Sequence, residues 1–301
     1  MSADDPLAPV PKLDPRILID RIDRVHGIRL ELIGRPAGGE VGAAFVRTPE
    51  GEQGVLTAIG VSAAGQIHLT GAAMVAGQAV GLPLPRYELV LDLPAEPDME
   101  AAVAVVQQLL PGAMPTRPDR PLAEAMVRAV DLMSGLLVDL PRIPTPDPYL
   151  THSGPGFCVH ESLAAYGGRA RRLLEWVREV GAATGSGHAQ MAGDDLVHLD
   201  YHPGNVLLDD QGQLSGIVDW DGIGRGDRRI ALVTLRFEAV PAGFDPSTVR
   251  WLDGLLDEMI EPDRLRVFWA HISLRNVDWM IRHHSPADVE DRLDLAETRI
   301  S

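Results

Sequence analysis

Apolar residues recur along this chain with two different periods, and the change from one to the other marks its organisation. Over Arg16–His26, Ile17, Leu18, Ile22 and Val25 are spaced as on one face of a short helix. From Ile28 to Ile59 the pattern turns to short strands broken by glycines. Arg29–Ile33 comes first, then the Gly-rich stretch Gly34–Gly42, Ala43–Val46, a turn at Thr48–Gln53, and Gly54–Ile59. A helix is predicted over about Ile67–Val80, followed by strands over Tyr87–Leu93 and Ala102–Val106. Beyond Gly112 the helical period returns. Leu122, Met126, Val130, Met133 and Leu137 mark one amphipathic helix, and Leu163, Tyr166, Leu173, Leu174 and Val177 mark another. Two apolar runs, Val206–Leu208 and Leu214–Val218, flank the turn Asp209–Gln213 and predict a hairpin, and Ser247–Leu295 is helical again. Residues 1–15 are rich in Pro and Asp and read as a loose lead-in.

Polar residues of particular kinds bracket the predicted hairpin. Immediately before it stands His198-Leu199-Asp200-Tyr201-His202-Pro203-Gly204-Asn205, and at its far end Ile217-Val218-Asp219-Trp220-Asp221. Phosphoryl transfer needs this combination: one carboxylate to take the proton of an attacking hydroxyl, and an amide plus a second carboxylate to hold the magnesium that bridges nucleotide phosphates. Asp200 is the candidate base. Asn205 and Asp219 are the candidate metal ligands, because hard oxygen donors suit magnesium and leave positions for phosphate oxygens and water. His202 and Asp221 lie close enough in sequence to touch substrate or metal; each has an equally plain structural reading, as a loop support and as a helix cap.

These residues resemble the aminoglycoside phosphotransferase and choline kinase-like family, a small-molecule branch of the protein-kinase-like fold. His202-Pro203-Gly204-Asn205 resembles its usual lead into the metal-binding asparagine, and Trp220 stands where protein kinases carry Phe after the metal-binding Asp. Gly224-Arg225-Gly226-Asp227 resembles the loop after the metal site, and Val277-Asp278-Trp279 with Arg282-His283-His284 resembles the C-terminal helices. The resemblance covers roughly residues 85–290. It implies an α+β, bilobal kinase-like fold, with a small antiparallel-sheet N-lobe over residues 1–108 and a larger, mostly helical C-lobe over 109–301. It also implies ATP or GTP with Mg2+ as cofactors. Gly38 and Gly39 would cover the phosphates, a hinge at Gln107–Gly112 would meet the base through Gln107 and Leu109, and His198 would support the catalytic loop.

Composition narrows the partners. A chain of 301 residues, 45% hydrophobic and 23% charged, can bury a sizeable core. No apolar stretch reaches the roughly 18 residues of a membrane span, and the N-terminus lacks the basic and apolar regions of a secretory signal. With Cys158 as the single cysteine, no intrachain disulfide forms, which fits a reducing cytoplasm. The net charge of −16 argues against nucleic acid and suits a cationic acceptor, although acidity also serves solubility. The acidic run Asp253, Asp257, Glu258, Glu261 and Asp263 offers a lining for such an acceptor, or else a solvated helix face.

One part of the pattern is missing. The family places a lysine on the third N-lobe strand, paired with a glutamate on the next helix. Here Thr57 stands at the lysine's place, Gln53–Tyr87 contains no acid, and Lys12 is the only lysine in the chain. Arg47, on the neighbouring strand, is the candidate replacement, though a guanidinium is a poor copy of an ammonium. Two functions therefore follow from the sequence. The first is a phosphotransferase acting on a small hydroxyl-bearing acceptor, such as an antibiotic or a metabolite, or on a peptide Ser or Thr in natural-product biosynthesis. The second is a degenerate kinase-like binding protein.

Overall fold

A computed structural model describes residues 14–36, 43–60, 64–97, 99–220 and 223–300. Gly38, Gly39, Asp221 and Lys12 lie outside these residues. In chain order the elements are α1 (Pro15–His26), β1 (Glu31–Gly34), β2 (Ala44–Arg47), β3 (Gln53–Gly60), α2 (Ala64–Ala79), β4 (Tyr87–Leu93), β5 (Ala102–Gln108), α3 (Arg120–Leu132), α4 (His160–Tyr166), α5 (Gly168–Ala183) and α6 (His188–Met191). They continue with β6 (Asp195–His198), β7 (Val206–Leu208), β8 (Leu214–Ile217), β9 (Ile223–Gly226), α7 (Ile230–Ala239), α8 (Pro246–Met259), α9 (Pro262–His283) and α10 (Pro286–Glu297). Two compact units contain them: residues 14–114 with 206–220, and residues 115–205 with 223–300.

The first unit is built on an antiparallel sheet of five strands in the order β1-β2-β3-β5-β4. Its two faces follow from the alternation of side chains along each strand. Leu56, Ala104 and Val106 join Leu18 and Ile22 of α1 in one core, whereas Val103 and Val105 join Ile67 of α2 in another. Asp14 caps α1 by accepting from the Arg16 amide, and Gly27 ends it in the left-handed conformation. Arg21 reaches from α1 to the carbonyls of Leu93, Pro94 and Glu100, so the end of β4 is held by a buried guanidinium.

The β7–β8 hairpin belongs to this unit. Leu208 and Ala113 exchange backbone hydrogen bonds at 2.9 Å in both directions, Ser215 Oγ donates to the Pro111 carbonyl (2.9 Å), and the Ile217 amide donates to the Pro83 carbonyl (2.8 Å). Gly112 is required where the two segments meet: its φ is 113°, and a Cβ there would collide with Ser215 and the Leu208 carbonyl. The segment expected to act as a hinge is thereby tied to the hairpin that carries Asp219.

The second unit is helical apart from the β6–β9 pair. α9 is its central helix, with α4, α5, α7 and α10 against it. Pro262 and Pro286 open α9 and α10, so the apolar stretch predicted as helical over Ser247–Leu295 is three helices. The helix predicted through Leu163–Val177 is also divided: Gly167 is fully extended between α4 and α5. α7 escaped the pattern because Ile230 to Phe237 is buried on all sides, which leaves no polar face to set a period. Among the described residues no helix is long and apolar enough to cross a membrane.

Candidate functional site

The loop after β6 is anchored before it does anything else. β6 is buried and runs antiparallel to β9, with His198 opposite Ile223. Tyr201 is fully buried and donates its hydroxyl to the Met126 carbonyl of α3 at 3.0 Å, and Thr234 Oγ1 of α7 faces the Leu199 carbonyl at 3.5 Å. Burial raises the Tyr201 pKa, so the phenol stays a donor. Pro203–Asn205 forms a single 3-10 turn that returns Asn205 toward Asp200.

Within this frame the polar groups close on Asp200. Its amide donates to His198 Nδ1 at 3.2 Å. Asn205 Nδ2 donates to the Asp200 carbonyl at 2.8 Å and to Asp200 Oδ2 at 3.1 Å. Both partners are acceptors, which fixes which way the amide points. Its Oδ1 accepts no hydrogen bond among the described residues and is the atom a hard cation would use. His202 Nδ1 accepts from the Gly204 amide at 3.1 Å, leaving Nε2 as the protonated nitrogen, 3.5 Å from Asp200 Oδ2. Arg275 of α9 brings Nη2 to 3.8 Å from Asp200 Oδ1. Burial by itself would raise the Asp200 pKa. The His202 hydrogen bond and the Arg275 and histidine charges outweigh it and hold the carboxyl well below the usual range. Asp200 is therefore an ionised acceptor at neutral pH.

Magnesium fits the donor set in one respect that can be read directly. Asn205 presents an amide oxygen whose nitrogen is already satisfied, beside an ionised carboxylate. Among the described residues no group of three His, Cys, Asp or Glu side chains could hold a metal ion unaided. Magnesium is ordinarily bound by one or two carboxylates together with substrate phosphates, so it does not need such a group.

Asp219 lies in the other unit, just past β8, in the left-handed region at φ 65°. Asp is one of the few residues that tolerate this conformation, and such outliers concentrate at functional positions. Trp220 beside it is buried, with Nε1 donating to the Ile217 carbonyl at 2.8 Å, so the turn bearing Asp219 is pinned to the hairpin.

The expected nucleotide contacts are placed as follows. Thr57 lies in the centre of the sheet opposite Val105, on the face shared with α2, whose sequence contains no acid. Gln107 is opposite both Val55 and Tyr87, and the Leu109 amide approaches the Gln53 carbonyl at 3.5 Å. Arg47 pairs with Glu31 at 2.6 Å with both side chains exposed, and it faces Gln53, four residues along β3 from Thr57. At about 3.3 Å per residue that separates the two positions by roughly 13 Å. The structure does not bring Arg47 to the vacated lysine position. On α8, Asp253 takes Arg236 and Arg299, and Asp257 takes Arg299 at 2.7 Å, while Glu258 is exposed. Arginines of the same unit thus answer two members of the acidic run.

Arg275 was not legible as a site residue. Its 75-residue separation from Asp200 gives no sequence signal, and only the position of α9 brings the two together.

The chain matches the phosphotransferase enzyme family, APH, over residues 62–268. No curated protein matches. Solved structures with a similar fold include aminoglycoside phosphotransferase APH(4)-Ia in a ternary complex with AMP-PNP and hygromycin B, at 15% identity and TM-score 0.63 over 94% of this chain and 96% of that one. Aminoglycoside phosphotransferase APH(3'')-Id from Streptomyces rimosus aligns at 18% identity and TM-score 0.51 over 86% and 97%. Macrolide 2'-phosphotransferase MphH from Brachybacterium faecium aligns at 16% identity and TM-score 0.50 over 95% and 99%. At these identities the likeness establishes the kinase-like α+β fold.

Proposed function

Because the chain belongs to the APH family of phosphotransferase enzymes, we propose that it transfers the γ-phosphoryl group of ATP or GTP to a hydroxyl of a small acceptor. The observation that carries this reading is the pairing of an ionised Asp200 with an Asn205 whose amide oxygen is left available. Asp200 accepts a hydrogen bond from the acceptor hydroxyl and takes its proton as the new P–O bond forms and the bond to the leaving nucleoside diphosphate breaks. His202 and Arg275 keep the carboxylate charged, and the Asn205 amide orients it. Asn205 and Asp219 are the residues to hold magnesium, which when bound neutralises charge on the phosphates. The AMP-PNP and hygromycin B in the APH(4)-Ia complex support a nucleotide and a hydroxyl-bearing acceptor here.

A second reading, a kinase-like binding protein without transfer, is favoured by Thr57 and by the absence of any acid on α2. Release of ADP or GDP from the magnesium nucleotide, with and without an acceptor panel, separates the two. Transfer that falls about 10²–10⁴-fold in Asp200→Asn supports the enzyme. Nucleotide turnover equal in wild type and Asp200→Asn supports the binding protein.

A further inference from the structure

Arg275 is built differently from three other arginines of its unit, the half-buried Arg229 and the buried Arg236 and Arg282. Arg229, Arg236 and Arg282 each lay their guanidinium on a carboxylate with two or more hydrogen bonds. Arg275 makes no hydrogen bond among the described residues. Its contact with Asp200 is 3.8 Å, well beyond the 2.7–2.9 Å of a closed guanidinium–carboxylate pair. Its side chain is 23% exposed, and its Cζ lies 5.4 Å from the ring centroid of Phe157, which is itself half-buried. The guanidinium is thus steadied on an aromatic ring, beside the candidate base, with its fork of N–H donors uncommitted.

The neighbouring carboxylates do not claim it. Asp147 accepts from the Tyr149 amide at 2.8 Å and faces His152 and His188 at 3.3 and 3.7 Å. Asp278 is closed on Arg282, Ser162 and the Val159 amide, and Glu161 is held by Ser153. Among the described residues Asp200 is met by the Arg275 guanidinium, with the His202 and His198 rings beside it.

We infer that the acceptor carries an oxyanion, a carboxylate or phosphate, close to its reacting hydroxyl, and that Arg275 binds it. This rests on the phosphotransferase reading above and names its acceptor class. A hydroxyl held on Asp200 places its neighbouring substituents within reach of Arg275, whose N–H donors an oxyanion can accept from and an ammonium cannot. The chain-wide charge of −16 points the other way, but at physiological salt it is screened over about 8 Å. A contact group decides between acceptors more strongly than remote surface carboxylates, many of which are paired with arginines.

Three probes with one polyol skeleton test this: gluconate, glucitol and glucamine, which are anionic, neutral and cationic. Dissociation constants are measured by ligand-observed NMR, with and without Mg–AMP-PNP, on wild type, Arg275→Lys, Arg275→Ala and Arg275→Glu. Gluconate is expected to bind wild type about tenfold or more tighter than glucamine, the effect of one hydrogen bond to a charged group. Arg275→Lys keeps that order, Arg275→Ala abolishes it and Arg275→Glu reverses it. Gluconate binding no tighter than glucamine, absence of measurable binding included, overturns the inference. So does an order unchanged in Arg275→Ala; weaker binding there of Mg–AMP-PNP relative to Mg–ADP would assign the guanidinium to the transferring phosphoryl group instead. Failure of Mg–AMP-PNP to bind wild type sinks the phosphotransferase reading instead, and the charge order without nucleotide still tests the role of Arg275.

Discussion

Asn205 spends both hydrogens of its side-chain amide on Asp200, one on the backbone carbonyl at 2.8 Å and one on Oδ2 at 3.1 Å. Asn205→Asp replaces a donor with a second carboxylate at that distance, and two like charges so close cannot both ionise easily. The wild-type Asp200 carboxyl is held below the usual carboxylate range by His202 and Arg275 against the effect of burial. Its ionisation therefore puts no acid limb on kcat/KM between about pH 5 and 8. In Asn205→Asp the apparent pKa of the pair rises and an acid limb enters that window. A pH profile of the variant that matches wild type contradicts the pairing.

Asp278 and Arg282 form a buried ion pair one helical turn apart on α9, with the carboxylate also accepting from Ser162 and the Val159 amide. This pair ties α9 to the segment that carries Phe157. Removing one partner strands the other, so Asp278→Ala should cost about 3–5 kcal/mol in urea unfolding. Asp278→Ala with Arg282→Met should recover part of it. A loss under about 1 kcal/mol, the range of an exposed pair, contradicts the burial argument.

His271 is fully buried, with Nδ1 on the Pro148 carbonyl at 3.0 Å and Nε2 without a partner among the described residues. Burial lowers its pKa to about 4. Between that value and the unfolded value near 6.5 the unfolded chain binds the extra proton. Stability is therefore complete above about pH 6.5 and declines as pH falls toward 4, by up to about 3 kcal/mol from this residue. Denaturation midpoints at pH 7.5 and 5 should differ less in His271→Gln than in wild type. Equal differences would assign the pH dependence elsewhere.

Much of the site was readable because it is local. Asp200, His202 and Asn205 lie within one loop, and the apolar runs around Asp209–Gln213 do pair as β7 and β8, Val206 with Ile217. Local spacing carries no record of what other elements supply. Arg275 and Asp278 reach their partners through the position of α9, and the role of Asp278 as a buried carboxylate cannot be told from a surface one by residue type. The boundary expected at 108/109 follows the end of β5. The compact units change at 114/115 and again at 205/206, because the hairpin bonds to Ala113 through its backbone and to the Pro111 carbonyl through Ser215 Oγ. Pattern reading assigns strands to sheets only when they are neighbours in sequence.

Arg47 and Thr57 give a prediction about the missing phosphate clamp. Arg47 is engaged with Glu31 at the solvent-exposed end of β2, so Arg47→Ala should change stability by less than about 1 kcal/mol and leave nucleotide affinity within error. Thr57→Lys adds an ammonium on the face shared with α2, where no acid is available to orient it, and should not tighten nucleotide binding. Calorimetry on both variants checks this. A tenfold loss in Arg47→Ala, or a tenfold gain in Thr57→Lys, would show that the clamp is still present in altered form.

The central claim is that Asp200 acts on the acceptor while Asp219 acts on the magnesium nucleotide. Calorimetric titration of Mg–AMP-PNP into wild type, Asp200→Asn and Asp219→Gly tests it most directly. Glycine is chosen at 219 because it accepts φ 65° without strain, so any effect belongs to the lost carboxylate. The account predicts binding to wild type, affinity within about threefold in Asp200→Asn, and a loss of roughly tenfold or more in Asp219→Gly, as expected for a charged ligand group. Equal affinity in wild type and Asp219→Gly, or no binding to wild type at all, would contradict it.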